Sequence, residues 1–328
     1  MASNNPILAL LGMFLMLFSG GGENVRRPAP QSDHVFAFHL KVNVPADSRD
    51  LSAINATVNM LVKRLVAAEL RHSGCFAPGK SHVVIIMPGM DTDEERRLTR
   101  LLNTLNARLE FRLVHKDSDK LVAEGRKFFR RSHPDGGEKD ELAFLEENAP
   151  AGYRLMPLAD RKDNSLFGCY VSEKVELDGG YVDSVDVGKD MWDRPQIGMH
   201  FNTAGAEKFK RLTGANIGRR LAVVFNGKLY GAPLILAELG DRIEITGNFS
   251  GDVAEDICAV LRSGAAPFGI ELDTTAGDDP QARYSVGWCY EHGAGVPADL
   301  PTALEYYRQA AAQGFAPAQK ALERLEKR

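Results

Sequence analysis

Phe36, Phe38, Leu40, Val42 and Val44 fall on one parity of the chain, with Ala37, His39, Lys41 and Asn43 on the other. Apolar residues at every second position turn one face of an extended strand toward a core, so this stretch predicts a half-buried strand. From Ser52 to Leu70 the spacing changes: Ile54, Val58, Leu61, Val62 and Leu65 recur every three or four residues, as on a helix packed against a sheet. Val83 to Met87 is apolar throughout and stops at Pro88 and Gly89, which predicts a central strand buried on both faces. Thr92 with Glu95 three residues on carries a capping-box signature for a second helix to about Asn103, and Leu109 to Val114 supplies a third strand. The first block thus runs β-α-β-α-β.

Between Lys116 and Asn148 the chain becomes highly charged, with turn residues at Pro134, Asp135, Gly136 and Gly137, and this stretch is expected to be a solvated connection. A second block starts near Tyr153. It holds expected strands at Pro195–Phe201, Leu221–Phe225, Lys228–Tyr230, Arg242–Thr246 and Phe268–Leu272, and a helix from about Thr203 to Thr213. Asn226-Gly227 joins two of these strands and is a strong hairpin signal, because both residues tolerate the positive φ of a type I′ turn. Ser250 is a suitable N-cap for a helix that ends at Gly264, with Pro267 beyond. After a polar linker at Asp273–Asp278 everything is expected to be helical, with Asp279-Pro280 and Asp299 as helix starts and Gly314 as a stop.

At the N-terminus an apolar run, Ile7 to Phe18, precedes Ser19 and three glycines. It is shorter than the roughly 20 residues a spanning helix needs. It fits either a cleavable secretory signal over residues 1–22 or a short uncleaved anchor, so the chain is expected in the periplasm or on the periplasmic face of the inner membrane. With 40 basic against 44 acidic residues and no long basic block, nucleic acid is excluded as an expected partner. The four cysteines show neither CxxC spacing nor the density of a disulfide framework, and their pairing stays open. Eight histidines without a close pair give no metal site. His72 before Cys75 raises a thiolate reading, but no orienting Asn or Asp accompanies the pair, so an incidental thiol at a helix end is expected. Gly214, Gly218 and Gly227 lack the strand-to-helix context of a phosphate loop. No catalytic residue, cofactor or metal is expected, and the chain is read as a non-enzyme.

Three stretches resemble the first periplasmic domain of the export factor SecD. They are VVIIMPGMDTDEE (83–95), LEFRLV (109–114), and the series LTGANIGRRLAVVFNGKLYGAPLI, IEITGNFS and LRSGAAP between Leu212 and Pro267. Lys63-Arg64 also sits where that family has a helical arginine. The resemblance implies an α+β fold: a ferredoxin-like base, with its charged connection, over 33–150, then an α+β head subdomain and return to the base over 151–272. It implies structural roles for Pro88, Gly89, Arg112 and Thr213, for Gly218, Asn226, Gly227 and Pro233, and for Gly247, Gly264 and Pro267.

Residues 279–328 resemble a Sel-one-like repeat, related to the tetratricopeptide repeat, and form a short all-α helical-repeat tail. Gly287, Tyr290, Gly293, Gly295, Ala303, Ala310, Ala311 and Gly314 match its packing positions. A single repeat cannot bury its own apolar faces, so it is expected to dock on the main domain or on another protein.

The functional expectation is an envelope protein-binding module accessory to Sec-dependent export. Its partners would be unfolded preprotein segments or Sec translocase components. By itself it would not be proton-coupled, since no membrane-spanning bundle follows Leu272. The alternative is an envelope scaffold that has lost export function. Tyr230, Pro233 and Phe249 are the candidate contacts for extended polypeptide, and the same side chains also fit core or rim packing.

Overall fold

The computed structural model describes residues 35–44, 52–70, 73–78, 81–88, 90–158, 168–246, 249–275 and 279–326. The Ile7–Phe18 run, His72, Gly89 and Gly247 lie outside the described residues. Packing divides the chain into two units: residues up to Leu105 together with those from Ala266 on, and Asn106–Ala265. Among the described residues no helix is long and apolar enough to cross a membrane.

The first unit contains β1 (Val35–Val42), α1 (Ser52–Ala67), β2 (Gly74–Phe76), β3 (His82–Pro88), α2 (Thr92–Asn103) and β13 (Ile270–Leu272). The sheet order is β13-β1-β3-β2 and every neighbouring pair is antiparallel. That is the βαββαβ ferredoxin-like arrangement, with residues 106–265 inserted before its last strand. Phe36, Phe38, Leu40 and Val42 of β1 and Val83, Ile85 and Met87 of β3 pack on Ile54, Leu61 and Leu65 of α1 and on Leu98, Leu101 and Leu102 of α2. Ala37, Val84 and Ile86, on the other face, are buried as well.

The helix cap falls one residue earlier than the sequence suggests. Asp91, not Thr92, is the N-cap: its carboxylate accepts from the Glu94 N–H, and the Glu94 carboxylate accepts from the Asp91 N–H. At the other end of α2, buried Arg64 donates from Nη1 to the carbonyls of Thr104 (2.6 Å) and Leu105 (3.2 Å). Burial lowers its pKa to about 10, so it remains charged while closing a helix C-terminus.

The tail belongs to this unit. It comprises α7 (Pro280–His292), α8 (Leu300–Ala312) and α9 (Ala316–Glu326). β13 pairs with β1 only over Leu40–Val42, which leaves the first half of that strand edge without a strand partner. α7 covers it. The Ala37 N–H donates to Ser285 Oγ at 3.1 Å, and Trp288 stands edge-on to Phe36 and Phe38 at ring separations of 6.3 and 5.6 Å. Trp288, Cys289 and Ala294 share one core cluster with the sheet and α1, and the Gly295 N–H reaches Asn103 Oδ1 at 2.8 Å. The linker is tied to the sheet by His82 Nε2, 3.2 Å from Asp273 Oδ2, and by the Asp273 N–H, which donates to the His39 carbonyl.

Within the tail, Gly287 is required by closeness rather than by turn geometry. A Cβ there would lie 2.8 Å from the Tyr307 ring and 3.2 Å from the Ala303 carbonyl. Gly293, Gly295 and Gly314 have φ of 64°, 74° and 81° and terminate or turn the helices, while Tyr290 stacks on Tyr306. Ala303 and Ala310 are fully buried and Ala311 packs beside them, with Phe315, Leu322 and Leu325 half-buried in the same cluster. Of the two docking surfaces expected for the repeat, the main domain or another protein, this unit supplies the first: α7 packs on the sheet and α8 and α9 pack on α7, while the outer positions Gln319, Lys320 and Glu323 of α9 are polar. Arg324 holds Glu291 with two bonds of 2.7 Å, and Tyr307 OH donates to the same carboxylate at 2.8 Å.

The second unit contains β4 (Leu109–Leu113), α3 (Ser118–Ser132), α4 (Glu138–Glu147), β5 (Tyr153–Met156), β6 (Cys169–Ser172), β7 (Leu177–Asp178), β8 (Val182–Lys189), β9 (Pro195–Phe201), α5 (Thr203–Ala215), β10 (Leu221–Phe225), β11 (Lys228–Gly231), β12 (Arg242–Thr246) and α6 (Gly251–Ser263). Its sheets are β11-β10-β4-β7, β12-β9-β8 and β5-β6. The main core joins Phe111, Phe201 and Phe209 with Met199, Val223 and Ile257.

Two expectations are corrected here. The LEFRL strand pairs with β10 from Leu109↔Phe225 to Leu113↔Leu221, so the division falls at 105/106 and not near residue 150. Residues 116–148 are a helical hairpin, not a solvated connection. Their charges lie outward while Val122 and Leu145 pack on Leu155 and Tyr170, and buried Glu141 is paired with Arg126 at 2.8 Å.

Trp288→Ala should lower the stability of the first unit by about 3–5 kcal/mol. Amide exchange should quicken across residues 35–105 as well as in the tail; a loss confined to residues 280–312 would contradict a shared core. Acid sensitivity is expected from Glu291, where burial raises the pKa but the bonds from Arg324 and Tyr307 more than reverse this, leaving it below the ordinary value. The resulting stabilisation is complete above about pH 4.3 and is lost as pH falls through the lower folded value. Thermal melts should show Arg324→Gln less stable than wild type at neutral pH and with a shallower loss below that point.

Candidate functional site

Covalent chemistry finds little support. All four cysteines are free and buried; burial pushes the thiol pKa of Cys75 to about 12 and those of Cys169 and Cys258 to about 11, and raises that of Cys289 still further. None is a thiolate at neutral pH. Cys75 lies in β2, paired with Ile85, rather than at a helix end. Among the described residues no group of three His, Cys, Asp or Glu side chains is placed to hold a metal. A cavity of about 400 Å³ opens beside β5. The carboxylate in its wall, Glu146, is committed to the Leu155 N–H at 2.7 Å.

The three candidate contact residues separate. Tyr230 and Phe249 expose only 6% and 7% of their surfaces and lie in the head core with rings 6.5 Å apart, so their side chains pack the head and are not available to a ligand. Pro233 is exposed. It opens the segment 233–239, which carries Leu234, Leu236 and Leu239 outward, with Leu236 79% exposed, while Ile235 is buried. Exposed Ile217 lies on the neighbouring loop. Sequence reading stopped at Pro233; the available signal was the run of leucines after it, alternating about one inward isoleucine.

Backbone bonds hold this segment in place. The Leu221 N–H donates to the Pro233 carbonyl, the Ile235 N–H to Arg219 and the Gly218 N–H to Ile235. Gly218 has φ of 83°, a conformation that favours glycine. Thr213, fully buried, donates from Oγ1 to the Phe209 carbonyl and accepts from the Leu239 N–H at 2.9 Å, so the end of α5 is stitched to the end of the segment. Lys210 and Glu238 form an ion pair alongside. Ile217, Leu234, Leu236 and Leu239 are thus large apolar side chains exposed on a hydrogen-bonded segment and the loop beside it, and exposed apolar surface of this kind marks protein contact.

The other motif residues sit at strand junctions, turns and helix ends. Arg112 bonds Glu110 at 2.8 Å and the carbonyls of Ser172 and Glu173, joining β4 to the β6 end. Asn226 and Gly227 have φ of 48° and 74° in the β10–β11 turn, Gly264 has φ of 85° after α6, and Pro267 is exposed. A further apolar feature is the tip between β8 and β9, where Met191 and Trp192 are exposed and Arg194 lies 4.8 Å over the Trp192 ring. Asp190 organises that tip by accepting from the Trp192 and Arg194 N–H groups.

The distinction between patch and core is measurable. Leu236→Ser should change stability by no more than about 0.5 kcal/mol while reducing binding of a hydrophobic dye. Phe249→Ala should cost about 3–5 kcal/mol in chemical denaturation.

Residues 154–268 match the SecDF P1 head subdomain and residues 280–315 match the Sel1 repeat. The chain is 26% identical over 219 residues to the protein translocase subunit SecD of Magnetococcus marinus, covering 66% of this chain and 37% of that one. It is 28% identical over 275 residues to the SecDF subunit of Thermus thermophilus, covering 82% and 34%. The chain thus spans little more than a third of the length of these relatives. A solved structure of SecDF, described as a membrane component that enhances protein export, superposes with a TM-score of 0.51 at 25% identity, covering 72% of this chain and 97% of that one. Residues 154–268 are thus similar to a SecDF P1 head subdomain and residues 280–315 to a Sel1 repeat, and the chain is similar over much of its length to the SecD and SecDF protein translocase subunits.

Proposed function

We propose that this chain is a polypeptide-binding module of the cell envelope, accessory to Sec-dependent export, which holds unfolded preprotein segments on the patch of Ile217, Leu234, Leu236 and Leu239. The observation that carries this reading is the exposure of these side chains on a head related to that of translocase subunits. In this reading the described residues grip polypeptide, and proton coupling is no part of what they do. Export is expected from the Ile7–Phe18 run, with residence in the periplasm or at the periplasmic face of the inner membrane. A scaffold role resting on the helical tail is less favoured, since the tail spends its apolar surface on its own unit.

A photo-crosslinking side chain placed at position 236 in cells should capture export substrates in unfolded form or Sec components. The same group at Lys127, on an exposed and charged helix surface, should capture far less. Equal capture at both positions, or recovery of the protein from the cytoplasm alone, would overturn the reading.

A further inference from the structure

Resting on that reading, we infer that the head takes unfolded polypeptide as an added β-strand, along the backbone edge of residues 232–236. The ladder between β10 and β11 does not stop at Gly231. Val223 pairs with Gly231, and the next contacts, Leu221 with Pro233, Arg220 with Leu234 and Arg219 with Ile235, keep that same register. The segment is thus the continuation of β11, which is the edge strand of the sheet β11-β10-β4-β7.

Along an antiparallel ladder, successive residues turn their N–H and C=O groups to opposite sides. Pro233 and Ile235 bond inward to Leu221 and Arg219. Ala232, Leu234 and Leu236 therefore present theirs outward, and among the described residues these groups make no hydrogen bond. Proline commonly blocks strand edges because it lacks a donor. Here the missing donor of Pro233 falls on the paired side, so the outward groups of the edge remain unpaired among the described residues. Farther down, the edge is occupied, because Leu158 bridges to Leu229.

Other strand edges of this unit carry the usual protection against added strands. β12 bears Arg242 and Glu244, and β8 bears Asp183, Asp186 and Lys189. The stretch Ala232-Pro-Leu-Ile-Leu236 has no charge at all, and its outward leucines flank the open groups. An occupant that satisfies both features is an extended, uncharged segment of about five residues, whose backbone pairs with the edge and whose side chains lie beside Leu234 and Leu236. A helix, with its backbone groups satisfied internally, could use only the side chains.

The test uses the full chain and a seven-residue peptide of alternating valine and threonine with terminal lysines. A second version is N-methylated on alternate residues, which removes the donors of one edge and keeps the side chains. At saturating peptide the amides of Ala232, Leu234 and Leu236 should exchange at least tenfold more slowly, and the methylated peptide should bind at least tenfold more weakly. If the peptide binds with those amides unchanged, or both peptides bind equally, strand addition is overturned. If unfolded substrates still crosslink at position 236 in that case, only this inference falls. If neither the peptide nor any unfolded chain binds, the polypeptide-binding reading falls with it.

Discussion

The open half of the β1 edge is the constraint on which the first unit depends. A ferredoxin-like sheet closes when its last strand returns beside the first, and here that strand, β13, is three residues long and reaches only Leu40–Val42. An unpaired edge with two phenylalanines beside it is a site for misassociation. α7 resolves both problems at once: Ser285 accepts from the Ala37 N–H, and Trp288 covers Phe36 and Phe38. The repeat is thereby converted from an appendage into a layer of the base, and its second and third helices then close over α7 through Gly287, Tyr307 and the Glu291–Arg324 pair.

The head handles a strand edge in the opposite way. Residues 232–236 continue the ladder of β11, bury Ile235, and leave the outward backbone groups and leucines uncovered. Thr213 and Gly218 hold this arrangement in place from the end of α5, so the exposed row is presented by a fixed frame. One unit seals its edge with a helix and the other keeps an uncharged edge available.

Which apolar residues reach the surface follows from this geometry rather than from residue type. Aromatic side chains such as Tyr230 and Phe249 are natural candidates for a sticky surface, yet both are buried in the core of the second unit with their rings 6.5 Å apart. The aliphatic residues after Pro233 take the surface instead.

Much of the fold was legible in sequence because it rests on local periodicity. The parity of Phe36 to Val42, the apolar run of Val83–Met87 and the Asn226-Gly227 turn are short-range signals that tertiary packing did not override. The hairpin of α3 and α4 is not legible as such because its apolar residues come as short clusters, Leu121-Val122, Phe128-Phe129 and Leu142–Leu145, between runs of charge around a Pro- and Gly-containing turn, and short strands such as β2, β6 and β7 are below the length at which alternation can be seen. The sequence by itself determined which segments alternate, where they turn and which families they resemble. Only the tertiary structure decided that LEFRL belongs to the head, that the repeat completes the base, and which leucines remain in water. Those outcomes depend on pairings between residues as distant as Ala37 and Ser285, and no local pattern encodes which partner a strand edge will find.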